Sequence, residues 1–185
     1  MTVATWLTVG RIFLVPVFVI SLAYYAKGVE LYRWIAFWVF IAASLTDALD
    51  GYIARHWNQK SEFGALLDPI ADKLLVVSGF LTIYFSDAFI LKPPVWIVIV
   101  IISRDIVIIS GLLLIFISVG KVRIQPNFLG KITTVFQLGT LAALLLMMPF
   151  SPILWNVTAV LTAVSGIVYV IREGKRLNGH SLKQN

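Results

Sequence analysis

Residues 47–72 read DALDGYIARHWNQKSEFGALLDPIAD, and the chain on either side of this stretch is apolar. Upstream, residues 33–46 carry a single charge, Arg33; downstream, residues 73–86 carry only Lys73. Crossing the hydrocarbon core takes about 20 mostly apolar residues, so 33–55 and 64–90 read as two membrane-spanning helices that reverse direction between them. Asp47 and Asp50 fall near the end of the first helix, and Asp68 and Asp72 near the start of the second, which puts all four at one depth. Spacings of three and four residues place each pair on one helix face. An ionised group inside the membrane costs about 2.5–3.5 kcal/mol even on the lenient insertion scale, so four adjoining carboxylates call for a cation.

Four further apolar segments, roughly 3–26, 94–118, 128–148 and 152–172, bring the predicted spans to six. Lys27-Gly28, Pro93-Pro94, the 120–125 stretch, Pro149 and Pro152 punctuate them. The composition agrees: 59% of the 185 residues are hydrophobic and 13% charged, far from the globular norm of about 45–50% and about 25%. The fold class is therefore all-α integral membrane, with 1–185 as a single domain. The first apolar run contains Arg11, follows no basic region and lacks a small-residue cleavage site, so it is expected to remain in the mature protein. Arg55 and Lys60, then Lys121, Arg123 and Lys131, then Arg172, Lys175, Arg176 and Lys183 fall on alternate connections and the tail. The positive-inside rule makes that side cytoplasmic, with both termini inside. The net charge of +6 accordingly points to anionic headgroups, and nucleic acid is excluded as a partner because no soluble basic domain exists to bind it. Trp6, Trp34 and Trp57 near the predicted boundaries read as interfacial anchors.

With no cysteine, disulfides, thiolate metal sites and a cysteine nucleophile are ruled out. His56 and His180 read as loop residues, so the acidic set offers hard oxygen ligands, which select magnesium, manganese or calcium over zinc. The residues alone leave other readings open: structural ion pairs with Arg55, Lys73 and Arg104, or a proton or cation pathway. No internal repeat supports a transporter of duplicated halves. Arg104 and Asp105 are adjacent, hence about 100° apart on a helix, and are expected to seek other partners than each other. Lys73 is expected to reach the carboxylate cluster or snorkel to headgroups.

The full spacing narrows these readings. Asp47-x2-Asp50-Gly51-x2-Ala54-Arg55-x8-Gly64-x3-Asp68-x3-Asp72 fixes eight identities in 26 residues. At ~0.06 per position, one prespecified placement arises by chance on the order of 10⁻¹⁰ of the time. The pattern resembles the signature of the CDP-alcohol phosphatidyltransferase family. Thr8, Arg11 and Pro16 resemble that family's opening helix, and Ser103-Arg104-Asp105 with Gly130-Lys131 its fourth and fifth spans.

This resemblance implies six transmembrane helices around a polar, metal-containing cavity open to the cytoplasm, frequently in a homodimer, and a place in the cell inner membrane. It implies an enzyme that transfers a phosphatidyl group from CDP-diacylglycerol to an alcohol and releases CMP. Asp47, Asp50, Asp68 and Asp72 would hold Mg2+ or Mn2+, with Asp72 also the general base. Gly51 would let the backbone approach the nucleotide, Gly64 would leave room for its base or ribose, and Arg55 would contact phosphate. Thr8, Arg11, Arg104 and Lys131 complete the expected substrate contacts. Two acceptors compete, phosphatidylglycerol and glycerol 3-phosphate. Glycerol 3-phosphate enzymes of the family commonly follow their fourth-span arginine with a second one eight residues on, where this chain has Leu112. The stretch from Ser103 to Asp105, with Lys131 to Leu138, is more similar to the CMP-forming cardiolipin synthases, so phosphatidylglycerol is favoured.

Overall fold

The computed structural model describes residues 3–26, 28–56, 62–119 and 128–181. These residues form six α-helices: α1 Val3–Tyr25, α2 Glu30–His56, α3 Glu62–Phe85, α4 Val95–Val119, α5 Phe128–Leu145 and α6 Ser151–Ser181. Each coincides with one predicted span, and three carboxyl-terminal ends differ by three residues or more. The segment expected to run to residue 90 leaves the helix at Phe85, where the Ser86 hydroxyl accepts from the Ala88 amide and Lys92 pairs with Asp87. α5 stops at Leu145 instead of 148: the Met148 amide donates to the Ala143 carbonyl and the Met147 amide to Leu144, with Met147 left-handed at φ 53°. That is the Schellman arrangement, here closed by a residue other than glycine. α6 continues past the predicted 172 to Ser181 because Arg172, Glu173, Lys175 and Arg176 end the apolar run while remaining good helix formers.

The helix starts and stops elsewhere follow ordinary local chemistry. Gly28, at φ 91°, takes the left-handed position after α1, with its amide bonded to the Tyr25 carbonyl. Pro152 stands at the first turn of α6, where its missing amide leaves no hydrogen bond unmade.

α3 lies against α1, α2, α4 and α5; α1 also packs on α2, α5 on α2 and α6, and α4 on α6. The apolar core between them contains Phe18, Phe40, Phe80, Ile83, Ile101 and Leu141. The outside is just as apolar. On α6, Val157, Val160, Val164 and Ile167 are exposed while Thr158, Thr162 and Ser165 are buried. Large exposed apolar areas on this scale are foreign to a protein surrounded by water, whereas in lipid the helix turns its hydroxyls inward, where they find partners. Among the described residues α5 and α6 are the two helices long and apolar enough to cross a membrane.

Six of the buried polar residues form a seam between α5 and α6. Thr133, Gln137 and Thr140 stand at helical spacing on α5, opposite Thr158, Thr162 and Ser165 on α6. Thr140 and Thr158 share a hydrogen bond of 2.7 Å, Thr158 donates to the Phe136 carbonyl at 3.2 Å, and Gln137 donates to Thr162 at 3.5 Å. Such interhelical bonds each contribute about 0.6–2 kcal/mol inside a bilayer. At the opposite end of α5, Arg33 of α2 donates to the Leu145 carbonyl at 2.8 Å, a cation on the negative end of a helix.

Candidate active site

Asp47, Asp50, Gly51 and Arg55 lie on the last turns of α2, and Gly64, Asp68 and Asp72 on the first turns of α3. At 1.5 Å per residue, Asp47 and Asp50 stand about 14 and 9 Å before the end of α2, and Asp68 and Asp72 about 9 and 15 Å into α3. The two helices touch and are joined through residues 57–61, so their signature segments occupy the same end of the bundle. The side chains of these residues, and that of Thr8, lie outside the described residues. Among the described residues no group of three or more histidine or acidic side chains gathers to hold a metal. The donor set on the two helix ends, four carboxylates with neither histidine nor thiolate among the signature residues, is of the hard-oxygen kind that suits Mg2+ or Mn2+.

The expected cations separate. Arg11 on α1 is buried at 2% exposure and Arg104 on α4 at 7%. Lys131, one turn into α5, is exposed and does not join the buried groups.

Arg104 and Asp105 correct the sequence reading. They are each other's partners: Arg104 Nη1 donates to Asp105 Oδ1 at 2.8 Å. Their Cβ directions diverge, but the arginine stem is long enough to fold back, and burial leaves neither charge a solvent alternative. Arg104 Nη2 also donates to Ser165 of α6 at 3.1 Å. Lys73, on the α3 residue after Asp72, reaches the same Asp105 oxygen at 3.0 Å and the Gln137 side-chain carbonyl at 3.3 Å. One carboxylate thus links α3 to α4, and through Arg104, Gln137 and Thr162 the ties extend to α5 and α6. Asp105, Gln137 and the α6 hydroxyls were given no role from sequence. Their signal was present as Thr133-x3-Gln137-x2-Thr140 and Thr158-x3-Thr162-x2-Ser165, polar residues repeating at the period of a helix face.

Beside this network runs a cleft of about 430 Å³ between α4 and α6, walled by Val100, Val107, Ala163, Ile167 and Val170 with Ser103, Arg104 and Thr162 along it. Gly166, also along it, lets α6 approach Arg104 closely: a Cβ there would stand 3.3 Å from Arg104 Cγ.

The profile of a single family, described as CDP-alcohol phosphatidyltransferase, matches residues 1–170. The chain belongs to the CDP-alcohol phosphatidyltransferase family. It is 36% identical over 188 residues to the CDP-diacylglycerol--glycerol-3-phosphate 3-phosphatidyltransferase of Bacillus subtilis (strain 168), covering 92% of this chain and 94% of that protein. It is 35% identical over 158 residues to the CMP-forming cardiolipin synthase of Rattus norvegicus, covering 73% of this chain and 51% of the rat protein, so it spans about half of that relative. The enzyme of the first name from Yersinia pestis (strain Pestoides F) is 35% identical over 148 residues, with 78% of this chain and 77% of that protein covered. The chain is a CDP-alcohol phosphatidyltransferase, an enzyme of phospholipid synthesis, associated with the membrane.

Proposed function

We propose that the protein transfers a phosphatidyl group from CDP-diacylglycerol to the glycerol hydroxyl of phosphatidylglycerol, forming cardiolipin and CMP. The whole signature sits on the adjoining ends of α2 and α3, which supports the reaction. The acceptor reading rests on one observation: Arg104, the fourth-span cation, is already compensated by Asp105. A site with part of its charge spent internally suits a phosphodiester better than a dianionic phosphomonoester. Glycerol 3-phosphate is the second reading, favoured by similarity to the Bacillus relative along almost the whole chain.

In this mechanism all six helices span the membrane, with the α2–α3 connection and both termini on the cytoplasmic side and the acyl chains of both lipids left in the bilayer. Asp47, Asp50, Asp68 and Asp72 would hold Mg2+ or Mn2+, which would supply positive charge to offset the pyrophosphate and the charge developing on departing CMP. Thr8, Gly51, Arg55 and Gly64 hold the nucleotide and its phosphates; Arg11, Arg104 and Lys131 attract the acceptor phosphate. Asp72 takes the proton of the acceptor hydroxyl. Its oxygen bonds to the lipid-side phosphorus, and the bond from that phosphorus to the CMP oxygen breaks with its electron pair leaving on CMP. A homodimer is the proposed assembly.

The test supplies purified protein with CDP-diacylglycerol, Mn2+ and either acceptor, and measures CMP release and the lipid formed. Cardiolipin from phosphatidylglycerol at the higher kcat/KM is expected. Preference for glycerol 3-phosphate overturns the acceptor, and transfer to neither overturns the reaction.

A further inference from the structure

The cleft between α4 and α6 opens outward, and Val107, Ile167, Val170 and Ile171 along it are exposed. Ala163 and Gly166, one turn apart on α6, supply little bulk to its wall. Its polar groups are engaged within the protein. The Ser103 hydroxyl donates to the Val100 carbonyl at 3.2 Å, the Thr162 hydroxyl accepts from Gln137, and the Arg104 guanidinium donates to Asp105 and Ser165, which leaves the arginine stem as floor. The surface offered to a ligand is hydrocarbon.

Its depth follows from bonds between the helices. Arg33 near the start of α2 meets Leu145 at the end of α5, so α6, which begins after a short turn, runs toward the α2–α3 connection. Lys73, the residue after Asp72, bonds to Gln137, and Gln137 to Thr162, which sets the Thr162 end of the cleft near the level of Asp72. From Thr162 to Ile171 the helix rises about 14 Å, ending beside Arg172, where its apolar run stops. One leaflet of the ~30 Å hydrocarbon core is ~15 Å deep. A cleft of about 430 Å³, apolar and one leaflet long, suits a single fatty acyl chain lying along the membrane normal.

The proposed reaction brings two lipids together. Among the described residues α2, which carries Asp47, Asp50 and Arg55 of the donor site, touches neither α4 nor α6. Arg104, assigned above to the acceptor phosphate, is the floor of the cleft. We infer that this cleft holds one acyl chain of the acceptor phosphatidylglycerol. The inference rests on the proposed transfer to that lipid. Leaving bilayer for cleft exchanges one apolar surrounding for another, so the chain contributes packing and orientation: it holds the glycerol hydroxyl in place for attack.

The experiment gives the full-length protein, in mixed micelles, a phosphatidylglycerol with a photoreactive diazirine in its acyl chain. Labels are expected on 100–107 and 162–171, suppressed by unlabelled phosphatidylglycerol and not by phosphatidylcholine. Labels elsewhere, or equal suppression by both lipids, overturn the inference. Ala163→Phe and Val107→Phe fill the cleft from opposite walls, and Val164→Phe adds the same bulk on α6 outside it. The two filling variants should lower kcat/KM for dioleoyl phosphatidylglycerol about tenfold and for the dihexanoyl lipid, too short to fill the cleft, less than about twofold; Val164→Phe should change neither. Equal loss for both chain lengths, a loss that follows the chain length of CDP-diacylglycerol instead, or dissociation of a dimer by the filling variants overturns the inference. If one filling variant fails to fold, the other and the labelling decide. Preference of the unsubstituted protein for glycerol 3-phosphate, or transfer to neither acceptor, is seen before any variant and defeats the proposed reaction together with this inference; cardiolipin formation with labels elsewhere defeats the inference alone.

Discussion

At Gly79 the backbone of α3 is pressed against Leu141 of α5 and Phe18 of α1, and its replacement tests the packing that carries Asp68 and Asp72. A Cβ at Gly79 would stand 2.6 Å and 3.0 Å from the two terminal carbons of Leu141 and 3.1 Å from Phe18 Cε1. Carbon atoms pack best at about 3.5–4.0 Å, so the nearest contact is too short by about 1 Å. Leu141 and Phe18 are fully buried, which leaves little room to turn aside. Overpacking of this kind costs about 1–3 kcal/mol, while exchanging glycine for alanine in a helix returns up to ~1 kcal/mol. Gly79→Ala should thus lose about 1 kcal/mol net, and in a chain of this size Tm falls by roughly 2–4 °C per kcal/mol. Gly139, on α5, has nothing within 4 Å of its would-be Cβ, so Gly139→Ala should keep or raise stability. The measurement is the folded fraction by size-exclusion chromatography after heating in detergent. Leu141→Ala in the Gly79→Ala background should cost less than Leu141→Ala alone, because the vacated space accepts the new methyl. Equal stability of Gly79→Ala and Gly139→Ala, or strict additivity with Leu141→Ala, would refute the reasoning.

Asp72→Asn, which removes the proposed base at nearly constant volume, should abolish transfer while metal-dependent binding of CDP-diacylglycerol remains measurable; near-normal turnover would take Asp72 out of the mechanism. Asp47→Asn should weaken both donor binding and transfer, read in the same two assays. Chelation with EDTA should stop CMP release, with Mg2+ or Mn2+ restoring it and Zn2+ failing to, as the hard-oxygen donor set requires. Thr140→Val should cost about 0.5–1.5 kcal/mol by removing one of the two hydrogen bonds of Thr158, which keeps its bond to the Phe136 carbonyl, and the double change Thr140→Val, Thr158→Val should cost less than the sum of the two single changes, read as thermal stability in detergent.

The six helices were legible because apolar runs of span length are a one-dimensional property of the chain. The ends that differed were set by other chemistry. At Phe85 the apolar run goes on through Ala88 to Ile90, but Ser86 and Asp87 hold it in a turn. At residue 172 the polarity changes while helix propensity does not. The signature was legible in the same way, since its spacings of three and four survive in any helix. The partners of buried charges were not, as the Arg104–Asp105 pair shows. Angular separation on a helical wheel describes Cβ directions, and a side chain as long as arginine can cross that angle when no water competes for it. The Lys73–Asp105 contact spans two helices and depends on the rotation of each about its own axis, which no local pattern encodes.

Those contacts also explain how two helices that share one proposed site are kept in register. α2 and α3 carry two aspartates each, but their other packing differs: α2 rests on α1 and α5, and α3 on α1, α4 and α5. α1 and α5 are therefore the elements against which both are placed. The α5 side is fixed by directed bonds, Lys73 to Gln137 from α3 and Arg33 to the Leu145 carbonyl from α2. The α1 side is fixed largely by shape, through Phe18 against Phe40 of α2 and against the bare backbone at Gly79 of α3. Shape contacts hold the distance between helices, while directed bonds hold their rotation, and the aim of a carboxylate depends on both. A change at Gln137 should consequently disturb turnover more than stability, whereas one at Gly79 should disturb stability first.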